Sequence, residues 1–123
     1  NWGNVLVQQQ RFEQAIARYK QAVRIKPDFA EAHSNLGDTL LQMGRHNLAV
    51  THYQEAVRIQ PNSVRAYNNW GVALMQQKKL QEAARTFQQA LHVQPNFEDA
   101  RHNLRRVQQL IQQKSPQTDR DPK

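Results

Sequence analysis

The chain of 123 residues contains no cysteine, so it has no disulfide framework and no thiolate metal site. Its apolar runs are all far shorter than the ~20 residues of a membrane-spanning helix, so no membrane span is predicted in this segment. Glycine-rich phosphate loops and nucleophile motifs are also missing, which argues against an enzyme. No two of the five histidines are three or four residues apart, so neither a metal site nor a cofactor is predicted.

The charge of the chain is strongly basic, with a net charge of +7 and an isoelectric point near 10.3. Such a balance favours anionic partners in general. The basic residues are scattered, however, and many belong to the outer faces of the helices predicted below. The aromatic residues fall at core positions, where they form no stacking platform for bases, and this argues against nucleic acid as the partner.

Four columns of residues recur every 34 positions and organise the whole chain. They are Pro27, Pro61 and Pro95; Gly3, Gly37 and Gly71; Ala22, Ala56 and Ala90; and Ala15, Ala49 and Ala83. A helix–turn–helix unit of this length cannot bury its apolar face alone, so its copies must stack into a solenoid. A curved stack of helix pairs has a concave groove, which indicates a binding surface rather than a cavity for chemistry.

Helix signals divide the chain into seven predicted helices, at about 1–10, 12–25, 30–43, 46–59, 64–77, 80–93 and 98–113. Gly44 ends a helix because it tolerates left-handed backbone, and Pro61 stops the next helix at the residue before it. Asn62 or Ser63 is predicted to cap the helix that follows. Asp28 and Glu31 form a predicted capping box after Pro27.

Small residues are predicted to set the distance between the two helices of a repeat. Gly37 and Gly71 let the first helix approach the second, and Ala49 and Ala83 provide the facing small surface. Larger side chains at these places would push the helices apart and cost about 1–3 kcal/mol of stability.

This unit resembles the tetratricopeptide repeat family, whose pattern is a bulky residue, Leu-Gly, an aromatic or Leu, Ala, an aromatic, Ala and Pro. The second repeat carries it at His33, Leu36, Gly37, Leu40, Ala49, Tyr53, Ala56 and Pro61. The third repeat carries it at Tyr67, Trp70, Gly71, Leu74, Ala83, Phe87, Ala90 and Pro95. The first repeat lacks its first five places and matches at Trp2, Gly3, Leu6, Ala15, Tyr19, Ala22 and Pro27.

The resemblance implies an all-α fold, a right-handed superhelix of three repeats and a C-terminal capping helix over residues 1–113. The repeats span about 1–29, 30–63 and 64–97, the capping helix spans 98–113, and residues 114–123 form a predicted disordered tail. Arg105 and Gln108 replace the signature glycine and leucine of the last helix, as expected where no further helix covers it.

The N-terminal repeat is predicted to expose apolar side chains and to self-associate through them. The chain begins inside a repeat, so we expect it to be part of a longer protein. The surface near Trp2, Ile16 and Tyr19 is then left uncovered, and an exposed apolar patch of this kind favours a homo-oligomer.

The predicted groove is lined by the polar stripe on the first helix of each repeat. The candidate peptide-binding residues are Asn4, Glu31, Asn35, Asp38, Gln42, Arg65, Asn69, Gln76 and Asn103. Asparagines 34 residues apart form one column, and glutamines form a second. A side-chain amide offers donors and an acceptor together, so a column of amides suits the main chain of an extended peptide.

The resemblance adds two comparisons for this groove. The asparagine column is similar to that of O-linked N-acetylglucosamine transferases, where it holds the substrate main chain. The two-carboxylate clamp of chaperone-binding tetratricopeptide domains is matched at Asn4, Asn35 and Arg65, but Asn69 stands where a second base is needed, so the clamp is incomplete.

Three functions therefore remain open from the sequence. The leading prediction is a protein–protein interaction scaffold that binds an extended peptide or a partner helix. The alternatives are nucleic-acid binding through the basic outer helices and the non-catalytic tail of a larger enzyme such as a glycosyltransferase. The sequence leaves the ligand and the cellular compartment open.

Overall fold

A computed structural model describes the backbone of residues 2–26 and 28–114 and the side chains of residues 8–26 and 28–113. These residues form six helices and no strand, which confirms the all-α solenoid. The helices are α1 (Trp2–Ile25), α2 (Ala30–Gln42), α3 (His46–Ile59), α4 (Val64–Gln76), α5 (Leu80–Val93) and α6 (Glu98–Lys114). No helix in this part of the chain is long and apolar enough to cross a membrane.

The second and third repeats are the helix pairs α2–α3 and α4–α5, and each helix ends within one residue of its predicted bounds. Gly44 follows α2 with a φ of 82°, as predicted for a residue that ends a helix in left-handed backbone. Lys78 takes the same role after α4 with a φ of 67°, although it is not a glycine. Packing of α4 against α5 therefore holds the chain in this turn without a glycine.

Gly37 and Gly71 permit the close approach of the paired helices, as predicted. A Cβ atom on Gly37 would lie 2.7 Å from the ring of Tyr53, and one on Gly71 would lie 2.5 Å from the ring of Phe87. The three atoms nearest to each such Cβ belong to these rings, and Ala49 and Ala83 are fully buried in the same clusters as the rings. Each ring therefore occupies the space that a side chain at the glycine would fill.

The core runs continuously through the layer between the helices. One buried cluster comprises Ile16, Leu36, Leu40, Ala49, Tyr53 and Ala73. The other comprises Leu74, Ala83, Ala84, Phe87 and Val107. Val50 and Trp70 pack against both clusters, so the two repeats share one hydrophobic layer.

The first repeat differs from the prediction of two helices, because α1 is a single helix of 24 residues. The total of seven helices is therefore wrong for the described residues. The turn that Gly44 makes in the second repeat falls at Gln10 in the first. Gln10 lies between Gln9 and Arg11, and all three are good helix formers, so the helix continues through them.

The continuous helix also changes the prediction of an exposed apolar patch. Ile16 is only 6% exposed, and Tyr19 packs against the same cluster. Both side chains contact the core because α1 lies against α2. The patch predicted around them is therefore wrong at Ile16, and the side chain of Trp2 lies outside the described residues.

The helix caps confirm one prediction and contradict another. Ser63 caps α4, and its hydroxyl accepts a hydrogen bond from the Ala66 backbone N–H at 3.4 Å. At α2 the capping residue is Phe29, and no side chain bonds the helix end. The Asp28–Glu31 capping box is wrong because the helix starts one residue later than that box requires.

The last helix packs on α5 through the buried side chain of Val107, while Arg105 and Gln108 are exposed. This arrangement matches the polar outer face predicted for a terminal helix. The predicted disordered tail falls at residues 115–123, outside the described residues, apart from Lys114 at the end of α6.

Candidate functional site

Apart from Asn4 on α1, the predicted groove residues lie on α2, α4 and α6, which form one layer of the solenoid. The amide of Asn69 on α4 donates a hydrogen bond to Asp38 on α2 at 2.9 Å. The amide of Asn103 on α6 donates one to Asn68 on α4 at 3.1 Å. These bonds join the first helices of successive units directly, with α3 and α5 forming the second layer.

On α2 and α4, the predicted groove stripe is half-buried in the middle of the helix and exposed towards both ends. Its half-buried members are Asn35, Asp38, Asn69 and Asn103. Its exposed members are Glu31, Gln42, Arg65 and Gln76. Asn4 belongs to α1, but its side chain lies outside the described residues.

Asp38, in the middle of the predicted stripe on α2, receives three donors from two neighbouring helices. The hydroxyl of Tyr53 on α3 donates to one carboxylate oxygen at 2.5 Å, and the Asn69 amide donates to the same oxygen. The guanidinium of Arg65 lies 3.3 Å from the other oxygen. We call Asp38, Tyr53, Arg65 and Asn69 the Asp38 hub.

Tyr53 remains a proton donor in this hub at any physiological pH. Burial is the main cause that raises the pKa of its phenol, and the hydrogen bond to Asp38 and the charge of that carboxylate raise it further. Sequence analysis treated Tyr53 only as a large core residue. A comparison of the repeats could have revealed the pair. The second repeat has a hydroxyl at Tyr53 and a carboxylate at Asp38, whereas the matching residues of the third repeat, Phe87 and Val72, lack both polar groups.

The asparagine column is not a ladder of equivalent amides. Asn69 bonds Asp38, but Asn103 has Val72 at the matching place and turns instead to the buried Asn68. The Asn35 amide makes no hydrogen bond to any part of the chain that the structure describes. The three amides therefore differ in how much of their bonding capacity remains for a ligand.

A cleft of about 370 Å³ lies at one end of the groove, where α2 and α4 begin. Glu31 and Arg65 place opposite charges on its walls. Its lining residues are Ala30, Glu31, Ser34, Gln60, Asn62, Ser63, Val64 and Arg65. This volume accommodates one or two side chains of a peptide rather than a cofactor.

Two histidines that sequence analysis treated as separate residues meet between α2 and α3. The Nδ1 atoms of His33 and His52 are 3.3 Å apart, and the rings stack with centroids separated by 5.6 Å. Burial lowers the pKa of His52 first, and His33 and Lys20 lower it further against the opposing effect of Glu55. Within the described ranges, no group of three or more potential ligands could hold a metal ion.

Family models match residues 3–97, which include α2 to α5 and nearly all of α1, and α6 lies beyond them. A model described as TPR repeat matches residues 3–44 and 37–78, and one described as tetratricopeptide repeat matches residues 64–97. A search of curated protein sequences gave no significant match.

Several solved structures share this fold. The first TPR domain of human RPAP3 superposes with a TM-score of 0.82 at 24% identity, covering 93% of this chain and 90% of that domain. The first TPR of Spaghetti (RPAP3), bound to the HSP90 peptide SRMEEVD, has a TM-score of 0.80 at 24% identity, with coverages of 89% and 86%. The second TPR domain of human RPAP3, in complex with the HSP70 peptide SGPTIEEVD, has a TM-score of 0.77 at 22% identity, with coverages of 86% and 88%.

The family matches and the fold agree with the helix pairs and glycine–ring contacts described above. On this basis, the chain belongs to the tetratricopeptide repeat family.

Proposed function

We propose that this chain is a protein-interaction scaffold that binds an extended peptide along the groove formed by α2, α4 and α6. The residues assigned to peptide binding are Asn4, Glu31, Asn35, Asp38, Gln42, Arg65, Asn69, Gln76 and Asn103. The observation that carries the proposal is the Asn35 amide, which is half-buried on the groove stripe and makes no hydrogen bond within the described residues.

The chemistry of an amide explains why Asn35 suits a peptide main chain. Its oxygen accepts from a backbone N–H while its nitrogen donates to a backbone C=O. Asn69 keeps its oxygen and one N–H after bonding Asp38, so it offers a second contact one repeat further along. Gln42 and Gln76 are exposed near the ends of α2 and α4 and extend this set of amides.

The related structures support the general part of the proposal, which is that a domain of this fold binds a peptide. Two tetratricopeptide domains of the same fold are bound to short peptides, SRMEEVD in one and SGPTIEEVD in the other. A contact to the main chain predicts that this groove accepts peptides of different sequence, with neighbouring side chains adjusting the preference.

The proposal is tested by screening the chain against an array of ten-residue peptides of varied sequence. The dissociation constants of the peptides that bind are then measured by fluorescence polarisation with Asn35→Ala. Loss of one neutral hydrogen bond costs about 0.5–1.5 kcal/mol, so every binding peptide should weaken by a similar factor. Asn96→Ala is the matched control, because Asn96 is exposed in the loop between α5 and α6.

Three results would contradict the proposal. The array could contain no binding peptide, Asn35→Ala could weaken only one peptide sequence, or Asn96→Ala could weaken binding as much as Asn35→Ala. Circular dichroism on each variant separates loss of binding from loss of fold.

A further inference from the structure

The Asp38 carboxylate is held in the way that a protein holds the carboxylate of a ligand. A phenol, an amide and a guanidinium converge on it, at 2.5, 2.9 and 3.3 Å. Hydrogen bonds to an ionised acceptor are among the stronger ones in proteins. The centre of the groove is therefore built around one carboxylate, and that carboxylate belongs to the chain itself.

The charges of the groove stripe are opposite in balance to those of the whole chain. The net charge of the chain is +7. On α6 the stripe continues from Asn103 to Asp99 and Arg106, four residues before it and three after it. The stripe on α2, α4 and α6 then carries three acidic residues, Glu31, Asp38 and Asp99, and two bases, Arg65 and Arg106. Arg65 is the one base on the α2 and α4 stripes, and it already faces Asp38.

We propose that Asp38 determines the specificity of the groove by excluding ligand carboxylates from Arg65 and Asn69. The inference rests on the proposed peptide-binding function and names its ligand class, which is an extended peptide that is neutral or basic where it crosses α2 and α4. A ligand carboxylate at this place would approach a fixed negative charge, and like charges within a few ångströms repel.

The side chains around Asp38 leave room for a ligand, so a ligand carboxylate is excluded by the charge of Asp38 and not by steric blocking. The Arg65 side chain is 62% exposed, so peptides in the groove can reach it. The Asp38 side chain is 28% exposed and also bonds the buried Tyr53, which fixes its position. Removing only the charge of Asp38 therefore leaves Arg65 and Asn69 in reach with no internal carboxylate to satisfy them.

Two peptides that differ only in charge test this inference. The acidic probe is SRMEEVD, the peptide bound by a related domain. The second probe is SRMQQVN with an amidated C-terminus, called neutral here because amides replace all of its carboxylates; the arginine and the amino terminus are common to both probes. On the unmodified protein, the neutral probe should bind at least as tightly as the acidic one. A preference of about tenfold or more for SRMEEVD would overturn the inference without the use of any variant.

The variant Asp38→Asn then removes the charge while keeping an oxygen that accepts from Tyr53. Its affinity for SRMEEVD should rise by about fivefold or more, because Arg65 becomes available for a charge-assisted hydrogen bond. Its affinity for the neutral probe should rise by a smaller factor than its affinity for SRMEEVD, because that probe has no carboxylate for Arg65 to bind. Glu82→Gln is the matched control, because it makes the same charge change at an exposed position of α5, outside the groove stripe.

Further outcomes separate this inference from the proposed function. If neither probe binds the unmodified protein but Asp38→Asn binds SRMEEVD, the inference stands. If Asp38→Asn gains nothing, or if Glu82→Gln gains as much, the inference is wrong even when the peptide array yields ligands. Adding Arg65→Gln to Asp38→Asn should abolish the gain, and a gain that persists would also overturn it. Thermal melting monitored by circular dichroism reports whether each variant is folded.

Discussion

The second and third repeats have the same backbone plan but bury different chemistry at the same place. In the second repeat the buried ring is Tyr53, and its hydroxyl donates to Asp38. In the third repeat the matching residues are Phe87 and Val72, with no polar group on either side. The residues at positions 38 and 53 therefore depend on each other, because a buried hydroxyl needs an acceptor and a half-buried carboxylate needs donors.

The largest effect should come from filling the glycine–ring contact that both repeats share. Gly37→Leu and Gly71→Leu should each lower the free energy of unfolding by about 3 kcal/mol or more, since even a Cβ atom would meet ring atoms at 2.7 and 2.5 Å. Urea denaturation followed by circular dichroism measures this change.

Gly44→Leu is the control, because a Cβ atom there meets nothing within 4 Å. Its cost is limited to the left-handed backbone, about 1–2 kcal/mol. A loss at Gly71 no larger than the loss at Gly44 would contradict the close packing against Phe87.

An intermediate loss of stability should follow when the third repeat receives the tyrosine hydroxyl without the aspartate that accepts its hydrogen bond. Phe87→Tyr buries a hydroxyl opposite Val72 and should cost about 1–3 kcal/mol in unfolding experiments. Adding Val72→Asp should recover part of this loss, and Asp99→Arg, which supplies the counterpart of Arg65, should recover more. Full additivity of the single changes in a double-mutant cycle would show that the two positions are not coupled.

The smallest effect, and one confined to acid pH, should come from the histidine pair of the second repeat. The matching places in the third repeat are Tyr67 and Thr86. Folding lowers the pKa of His52 below its ordinary value of 6.5, so the unfolded state binds the proton first as the pH falls. Stability is therefore lost as the pH drops below about 6.5 and until the folded-state pKa is reached.

His52→Thr should reduce this loss, measured as the difference in denaturation midpoint between pH 7.5 and pH 5. Lys20 and Glu55, the other charged groups that act on His52, remain in the variant. His92→Thr, at an exposed position of α5, should leave the pH dependence unchanged. The two variants behaving alike would contradict the role of the pair.

The sequence predicted helices α2 to α6 closely because their bounds depend on local chemistry. Proline, glycine and serine act on the backbone within a few residues, as at Pro61, Gly44 and Ser63. The 34-residue period predicted that the groove stripe recurs at matching positions of α2, α4 and α6.

Features that depend on contacts between helices were not predicted. The Asp38 hub and the histidine pair each join residues that are 15 to 31 positions apart, and no periodic pattern reports which side chains meet. The extra helix in the first repeat was predicted because the 34-residue period was applied at Gln10, where the local residues favour a continuous helix. Periodicity therefore predicted the scaffold, while the pairing of polar groups required the three-dimensional arrangement.

The Asp38 hub also crosses a boundary between repeats, since Asp38 and Tyr53 belong to one unit and Arg65 and Asn69 to the next. In a linear array, stability is the sum of the stability of each unit and the coupling to its nearest neighbours. A strong coupling at the middle boundary makes the second and third repeats a single cooperative block. We therefore expect unfolding to begin at the ends of the array, so that the boundary between the second and third repeats opens last.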